Sequence, residues 1–415
     1  MLKIICALAI HLFLVLVFYF LMLDAKVIST LPNNINLLNW DTQWYALIKE
    51  KGYVFKAYGP CNMAFFPFFP YFWRLMDLSA VGMSILNLTI FLFALYFLMR
   101  EYKLSITFSL FLLAIPSLMF MVVPYSESLF FAFSTLIIFG FKKNNTTYKI
   151  IGFMGASLIR SVSVIFIPAI IITEVVLINN ELPVIKRIKN TLPGLISCII
   201  GFMISAYVQF YQTGKWFYFL EIQKYWRRGW NIPSFPLTTY SPDRMLGVDG
   251  LAFSLGFLGF VLICWWGYTV VIKKKSVNQF NLDQAVVFSV LYIVGTTILD
   301  TFFTFYDKGS TNIWSLNRHI FSTPFLMVFV IYLVYLIKLS NSEKIFGLGI
   351  ILICIFLTGV FKFYGLTVFY ILFFFSLFMF KYRPEIKSIV ILFYVLSLYV
   401  QLTFYHDFLN YYWIG

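Results

Sequence analysis

Apolar runs of about 20 residues recur along the whole chain, and this feature limits the possible folds more than any other. A run of that length lets a helix cross the hydrocarbon core of a membrane. Only 12% of the residues are charged and 61% are hydrophobic, whereas soluble domains carry about 25% charged residues. The chain therefore lacks the polar surface of a water-soluble domain, and we predict an all-α polytopic membrane protein.

We predict a single transmembrane domain over residues 1–415, with about 11 full crossings. The first apolar run, Leu2–Leu23, ends without the small-residue cleavage site of a signal peptide, so we interpret it as a retained helix. The predicted crossings are residues 2–23, 78–99, 104–122, 125–141, 193–212, 251–272, 284–306, 319–337, 345–361, 363–380 and 387–405.

Residues 150–178 form either one long crossing or a re-entrant helical hairpin, and the basic residues favour the hairpin. Short cytoplasmic loops are enriched in lysine and arginine. With a cytoplasmic N-terminus, the hairpin keeps every tight basic cluster inside, whereas a single crossing places the last three outside. These clusters are Lys142-Lys143, Lys186-Arg187, Lys273-Lys274-Lys275, and Lys381 with Arg383. The hairpin also places Arg160 at its far end, where an arginine needs an anionic partner.

The net charge of +14 follows from these basic loops, so we expect membrane lipids and no nucleic acid as partners. Five cysteines show no CxxC or histidine-rich spacing, which predicts neither a disulfide framework nor a zinc site. The composition is rich in Ile, Phe, Lys and Asn, and the outer loops lack glycosylation sequons. Both features favour a bacterial plasma membrane.

Two long outer loops, residues 24–77 and 213–250, are rich in Trp, Tyr and Phe, which argues against disorder. The first loop contains an amphipathic helical stretch from Trp40 to Ile48 and then a proline-broken aromatic block, Phe65–Pro70. We expect that block to lie in the membrane interface, because proline interrupts a spanning helix.

Two acidic residues on the predicted outer side are candidates for chemistry. Asp41 lies between Trp40 and Trp44, where a partly dry environment makes a carboxylate a better base; the alternative is a helix N-cap. Glu127 begins an otherwise uncharged crossing, and a lone intramembrane acid marks a functional or paired site. Its alternative role is to stabilise the first turn of a helix.

Several arginines form a cationic group on the same side. Guanidinium groups bind phosphate oxygens with two parallel hydrogen bonds, so these residues suit a phosphorylated lipid; ordinary headgroup anchoring is the alternative. Pairing of Glu127 or Asp300 with an arginine is a further possibility, with Arg160 and Arg318 as the partners. The candidate cations are Arg160, Arg227, Arg228, Arg244 and Arg318, with His319 beside the last.

The order of these motifs, from about residue 39 to 324, resembles the PIG-V family, the GPI mannosyltransferase 2 enzymes and their prokaryotic relatives among the GT-C glycosyltransferases. The stronger motifs are Trp40-Asp41-x-x-Trp44-Tyr45-x-x-Ile48 with Gly52-Tyr53, Phe66-Pro67-x-x-Pro70, and Pro124-Tyr125-Ser126-Glu127-Ser128-Leu129-Phe130. The weaker ones are Arg160-Ser161, Gln223-x-x-Trp226, and Arg318 followed by Pro324.

The resemblance implies a GT-C-type helix bundle whose site faces outward under the first outer loop. It also implies a polyprenyl-phosphate sugar as donor, which is dolichyl phosphomannose in eukaryotes. The family aspartate corresponds to Asp41 and the family glutamate to Glu127. The family usually has a tyrosine where His319 stands, and the loop after Tyr53 is short here. The sugar and the acceptor, which is a lipid, a glycan or a protein, are therefore left open.

The residues and the resemblance lead to one hypothesis, an inverting transfer on the outer face. Asp41 would act as the base and Glu127 as the acceptor positioner or second carboxylate. Arg318, Arg227, Arg228, Arg160 and His319 would hold the donor phosphate, and the pocket residues would be Trp40, Trp44, Tyr45, Tyr125, Gln223 and Trp226. No nucleotide-binding fingerprint is present, so a lipid-linked donor fits better. We assign no cofactor, although the two carboxylates could offer oxygens to a divalent ion.

Two other kinds of protein would share many of these features. A polyprenyl-linked glycolipid flippase needs the same crossings and a cationic cavity, but the chain shows no internal repeat. A non-catalytic subunit of a membrane glycosylation complex would fold in the same way and show no activity alone.

Overall fold

The computed structural model of the chain describes residues 2–176, 184–237, 245–274, 280–307, 309–337, 339–362, 364–379 and 386–412. The described part is all-α apart from one small sheet. The helices are α1 Leu2–Asp24, α2 Asp41–Lys51, α3 Phe68–Met76, α4 Ala80–Glu101, α5 Ile106–Leu113, α6 Glu127–Lys142, α7 Thr146–Ile159, α8 Phe166–Val176, α9 Val184–Thr213, α10 Tyr218–Glu221, α11 Met245–Gly267, α12 Gln284–Phe302, α13 Leu316–Phe321, α14 Pro324–Ile331, α15 Asn341–Thr358, α16 Tyr364–Met379 and α17 Ile386–Leu409.

Seven helices of the described residues are long and apolar enough to cross a membrane: α1, α4, α9, α11, α12, α15 and α17. Shorter apolar helical stretches lie at Ser161–Glu174, Pro324–Leu336 and Tyr364–Met379. Many large apolar side chains of the long helices are exposed, as expected for surfaces that face lipid. The prediction of an all-α membrane protein is therefore confirmed at the level of apolar spanning helices.

The predicted crossing 104–122 is wrong as one continuous helix. Helix α5 ends at Leu113, and a 3-10 segment, Pro116–Met121, follows it. Pro116 lacks the backbone N–H that would continue the helix, so the helix ends and its last carbonyls have no intrahelical partners. Helix α17 supplies new ones: Gln401 Nε2 donates to the carbonyls of Leu113, at 2.7 Å, and Ile115, at 3.0 Å, and Ser397 donates to that of Ala114.

The predicted crossing 319–337 is also interrupted, since α13 and α14 are separate helices and the last residues form a π-helical turn, Tyr332–Leu336. The break lies at Ser322 and Thr323, immediately before Pro324, and proline disfavours the helical conformation in the residue that precedes it. This break leaves α13 as a short helix with its own orientation.

The predicted crossing 284–306 is too long, because α12 ends at Phe302 and the chain continues as a strand. Strand β2, Phe303–Asp307, lies between β1, Arg228–Trp230, and β3, Ser310–Asn312, with antiparallel pairing throughout. Phe305 is opposite both Arg228 and Asn312. The aromatic and β-branched residues of β2 favour a strand over a helix, and the sheet joins the second predicted loop to the end of α12.

The chain reverses its direction within residues 146–176. Helix α7 ends at Ile159, a 3-10 segment follows, and α8 then leads away. Gln284 Nε2 at the start of α12 donates to Glu174 Oε1 in α8 at 3.1 Å, and neighbouring Asp283 lies 3.9 Å from Lys142 at the end of α6. The end of α8 therefore lies at the same end of the bundle as the end of α6, and Arg160 lies at the opposite end.

The two predicted outer loops pack together over one end of the bundle as a structure that we call the cap, residues 36–76 with 214–230. Tyr225 of the second loop donates its hydroxyl proton to the Ala57 carbonyl at 2.9 Å, and the Tyr53 amide donates to Gln212 Oε1 near the end of α9 at 2.6 Å. Met63 and Ile222 are buried between the two segments. Helix α2 confirms the predicted amphipathic stretch, whereas the second loop is shorter than predicted because α11 begins at Met245.

Candidate active site

Four charged side chains meet beneath the cap, and we call them the charged cluster: Asp41, Glu127, Arg160 and Arg318. Arg318 Nη1 lies 2.5 Å from Asp41 Oδ2, and Arg318 Nε donates to Glu127 Oε1. Arg160 Nη1 donates to the same Glu127 oxygen at 2.9 Å. Arg318 thus bridges the two acids that the sequence singled out, and Glu127 bridges the two arginines.

Each member of the charged cluster lies at the end of a helix or within a short one. Asp41 is the first residue of α2, and Glu127 is the first residue of α6. Arg160 caps the C-terminal end of α7 at the chain reversal, and Arg318 lies in α13. Three helix ends and the short helix α13 therefore meet at one place, and α13 is a separate helix because the predicted crossing 319–337 is broken.

Three side chains of the charged cluster are almost fully buried, and the fourth, Asp41, is partly exposed. Glu127 is 0% exposed, Arg318 5% and Arg160 9%, whereas the Asp41 side chain retains 19%. Burial alone would lower the pKa of Arg318, but the carboxylates of Glu127 and Asp41 hold it above its ordinary value. Buried charges persist only when they are paired in this way. Asp41 is the member that an outside molecule can reach.

Some polar atoms in and beside the charged cluster are not used by its internal ion pairs. Glu127 Oε2 is buried and has no hydrogen-bond partner among the described residues, and the same holds for the hydroxyl of Thr42. Asp41 binds Arg318 through Oδ2. A guanidinium has more N–H groups than Arg318 uses for its two carboxylates. The charged cluster therefore keeps guanidinium N–H groups that its internal ion pairs do not use.

Aromatic side chains surround the charged cluster. The Arg318 guanidinium lies 4.3 Å from the ring centre of Tyr125 and 5.5 Å from that of Phe120. Tyr45 donates to Ser126 Oγ at 3.1 Å, and burial raises its pKa, so the phenol stays protonated. These rings exclude water and strengthen the electrostatic interactions inside. Tyr45 and Tyr125, two of the predicted pocket residues, thus lie beside the charged cluster.

The other predicted pocket residues lie at varying distances from the charged cluster. Trp44 packs against Trp226, with ring centres 5.4 Å apart, and belongs to the adjacent aromatic group of the cap. Trp40 stacks on Tyr411 at 4.7 Å and donates to a carbonyl after α17. Gln223 donates to the carbonyl of Phe219 within its own turn. Trp40 and Gln223 therefore make structural contacts in this conformation.

Two of the remaining predicted cations, His319 and Arg228, lie in a second polar group beside the first. His319 Nδ1 lies 2.6 Å from Asp300 Oδ2, so Asp300 pairs with the histidine and not with Arg160 or Arg318. Arg228 donates to the Trp314 carbonyl at 3.2 Å. Arg227 is exposed at the turn before β1. The expectation that Arg160 has an anionic partner is confirmed by Glu127, while Arg244 and the Asp307 side chain lie outside the described residues.

A buried acid that sequence reasoning missed lies next to α13. Asp249 falls in the predicted second loop, yet it is buried near the start of α11. Its Oδ1 accepts from the backbone N–H of Asn317 at 2.7 Å and from Asn317 Nδ2 at 2.6 Å. Its only sequence signal is an acid two residues before an apolar run, which is also common at ordinary loop ends.

Family models, characterised proteins and solved structures give no match to this chain. The function therefore has to be argued from the site itself.

The charged cluster combines two capabilities. A partly exposed carboxylate can accept a proton from a bound hydroxyl, and the adjacent guanidiniums can stabilise negative charge that develops on a phosphate. Among the described residues, no group of three or more His, Cys, Asp or Glu side chains is placed to hold a metal ion. The chemistry available from the chain is proton transfer combined with anion stabilisation.

Proposed function

We propose that this protein is a membrane glycosyltransferase of the GT-C type, which transfers a sugar from a polyprenyl-phosphate donor to an acceptor hydroxyl with inversion. One observation carries the proposal: Arg318 joins the partly exposed Asp41 to the buried Glu127 beneath an aromatic cap. A base beside an anion-binding group, at one end of apolar helices, matches a reaction between a lipid-linked donor and a hydroxyl.

In the proposed reaction Asp41 accepts the proton of the acceptor hydroxyl. The acceptor oxygen forms a bond to the anomeric carbon, and the bond between that carbon and the phosphate oxygen breaks. The lipid phosphate leaves with the electron pair, and the remaining N–H groups of Arg318 and Arg160 stabilise its growing charge. The low dielectric of the aromatic surroundings makes this stabilisation stronger than it would be in water.

Glu127 acts differently from Asp41 in this proposal. Its Oε1 holds both guanidiniums, and its side chain is fully buried. We assign it the role of orienting the arginines, with Oε2 left to position the acceptor. Arg228 and His319 lie in the neighbouring polar group, and we assign them no direct contact with the donor phosphate.

The finer topology belongs to the same proposal. The chain reversal at Arg160 supports a re-entrant hairpin among about 11 crossings. That topology places the N-terminus in the cytoplasm and the charged cluster at the outer face of a bacterial plasma membrane. The ion pairs of Lys142 and Lys143 lie at the opposite end, as the positive-inside rule requires for a cytoplasmic face.

The test is glycosyl transfer by the purified protein in detergent, with a panel of radiolabelled polyprenyl-phosphate sugars and membrane-extracted acceptors. Asp41→Asn should abolish transfer, because the amide cannot accept the proton. Glu101→Gln is the matched control, since Glu101 is an acid paired with Lys143 at the opposite end. Wild-type donor binding without transfer would contradict the enzyme proposal and favour the flippase or the non-catalytic subunit.

A further inference from the structure

Helix α13 carries three consecutive polar side chains, and each bonds to a carboxylate on a different helix. The pairs are Asn317 with Asp249 of α11, Arg318 with Glu127 of α6, and His319 with Asp300 of α12. Successive residues of a helix point about 100° apart. Three neighbours on so short a helix can therefore reach three separate partners. Helix α13 is fixed from three directions.

The contact between Asp249 and Asn317 is the most completely built of the three. One carboxylate oxygen of Asp249 accepts both the backbone and the side-chain N–H groups of Asn317. The side-chain oxygen of Asn317 in turn accepts from Ser117 Oγ at 2.6 Å. Asp249 is 2% exposed, and the other two residues are fully buried. The chain Ser117–Asn317–Asp249 thus fixes both the backbone and the side chain of one residue.

Asn317 immediately precedes Arg318, whose guanidinium has to reach two carboxylates at once. Ser315, two residues before Asn317, has a left-handed backbone, with φ of 70°, at the start of α13. A non-glycine residue in this conformation persists only where the surroundings hold it. A bond to the backbone N–H of Asn317 holds this turn, and so sets the direction in which the Arg318 side chain leaves the helix.

We propose that Asp249 is a positioning residue, which acts through Asn317 to hold the Arg318 guanidinium between Asp41 and Glu127. The expected effect on catalysis rests on the proposed function, whereas the positioning of Arg318 does not. Loss of the Asp249 contact leaves α13 attached through Arg318 and His319. The helix is therefore expected to tilt and not to detach, so that the protein folds with a misplaced guanidinium.

The deciding pair of variants is Asp249→Asn and Asp249→Leu. Asparagine keeps a carbonyl oxygen that accepts both bonds, whereas leucine has a similar volume and no acceptor. We expect Asp249→Asn to transfer sugar at close to the wild-type rate. Asp249→Leu should lose on the order of 100-fold in kcat, as misplacement by about 1 Å does elsewhere, with a KM for the donor near wild type. A purely structural role would lower the yield of folded protein but not the kcat of the folded fraction.

Two outcomes overturn the inference when the wild type is active. If folded Asp249→Leu keeps the wild-type kcat, the contact does not position Arg318. If Asp249→Asn loses as much activity as Asp249→Leu, the negative charge matters and the acceptor role is wrong. Should Asp249→Leu fail to fold, Ser117→Ala replaces it. That variant removes only the outer bond of the chain and should lower kcat by a smaller factor.

A double-mutant cycle separates this inference from the proposed function. Thermal unfolding in detergent is measured for Asp249→Leu, Arg318→Met and the double variant. If Asp249 positions Arg318, the shifts in apparent Tm are not additive, because the second change removes an interaction already lost. Additive shifts overturn the inference. A wild type that shows no transfer contradicts the proposed function alone, and the cycle still decides the positioning.

Discussion

The two ends of the helix bundle use ion pairs in opposite ways. Beneath the cap, Arg160 and Glu127 lie 2.9 Å apart with side chains 9% and 0% exposed. At the other end, Lys143 and Glu101 lie 3.5 Å apart with side chains 50% and 27% exposed. The end beneath the cap, the capped end, uses arginine, whose planar guanidinium reaches two acceptors. The opposite end, which we call the open end, uses lysine, whose ammonium group is a compact charge.

This difference indicates what each end does. An exposed pair contributes about 0–1 kcal/mol, because water already solvates both charges. Removal of one partner of a buried pair costs about 3–5 kcal/mol, because the other charge stays behind without compensation. The ion pair of the open end therefore contributes little to stability, whereas the capped end retains a costly arrangement. Such an arrangement is expected where charge is needed for chemistry.

Glu127→Gln should have the largest effect of the four changes considered next. The substitution keeps the shape but leaves the buried Arg160 without a carboxylate and Arg318 with Asp41 alone, so we expect a stability loss of about 3–5 kcal/mol and loss of transfer. Thermal unfolding in detergent measures the stability. Glu101→Gln is the control, with an expected loss below about 1 kcal/mol. Equal losses in the two variants would contradict the contrast between the ends.

Arg318→Lys should come second. Lysine keeps the charge but cannot bridge Asp41 and Glu127 with its single ammonium group. We expect kcat for sugar transfer to fall by on the order of 100-fold, together with weaker binding of the donor. Steady-state kinetics of the purified protein measure both. Arg100→Lys, at an exposed position at the end of α4, is the control; a kcat near wild type in Arg318→Lys would show that charge alone is sufficient.

Gly155→Ala tests how the chain reversal delivers Arg160 to the charged cluster. A methyl group at Gly155 would lie 2.2 Å from the ring of Phe133, so either this ring or α7 has to move. We expect a stability loss of about 1–3 kcal/mol and reduced transfer. Gly349→Ala in α15 is the control, because nothing lies within 4 Å of an added methyl there. Unfolding temperatures that match in the two variants would contradict the close packing.

Lys143→Gln should have the smallest effect. The pair with Glu101 is exposed, so we expect a stability change below about 1 kcal/mol and an unchanged rate of transfer. Screening by salt should shrink the difference further, which unfolding at low and high ionic strength would reveal. A stability loss as large as that of Glu127→Gln would contradict the small contribution expected of the exposed pair.

Sequence reasoning succeeded where a residue's surroundings follow from its neighbours. The apolar runs predict most of the spanning helices, and the amphipathic spacing predicts α2. An arginine predicted at the far end of a hairpin needs an acid, and Glu127 is that acid. These features depend on local composition and on the high cost of an unpaired charge.

The features that sequence reasoning missed depend on contacts between distant segments. The break after α5 is stabilised by Ser397 and Gln401, which lie 283 and 288 residues further along the chain than the carbonyls of Ala114 and Leu113 that they bind. Strand β2 needs β1 as its partner, and residues 228–230 lie far from it in sequence. The role of Asp249 follows only from the fold, because α13 places Asn317 beside it. No local pattern contains such information, because each partner looks ordinary on its own.

The most direct test of the charged cluster as an active site is to measure donor binding and single-turnover transfer side by side for the wild type and Asp41→Asn. The proposal predicts that both proteins bind the polyprenyl-phosphate sugar equally, while the variant loses transfer by about 100- to 10,000-fold, the range expected for loss of a general base. Transfer at the wild-type rate in Asp41→Asn, or loss of binding together with transfer, would contradict the assignment of Asp41 as the base.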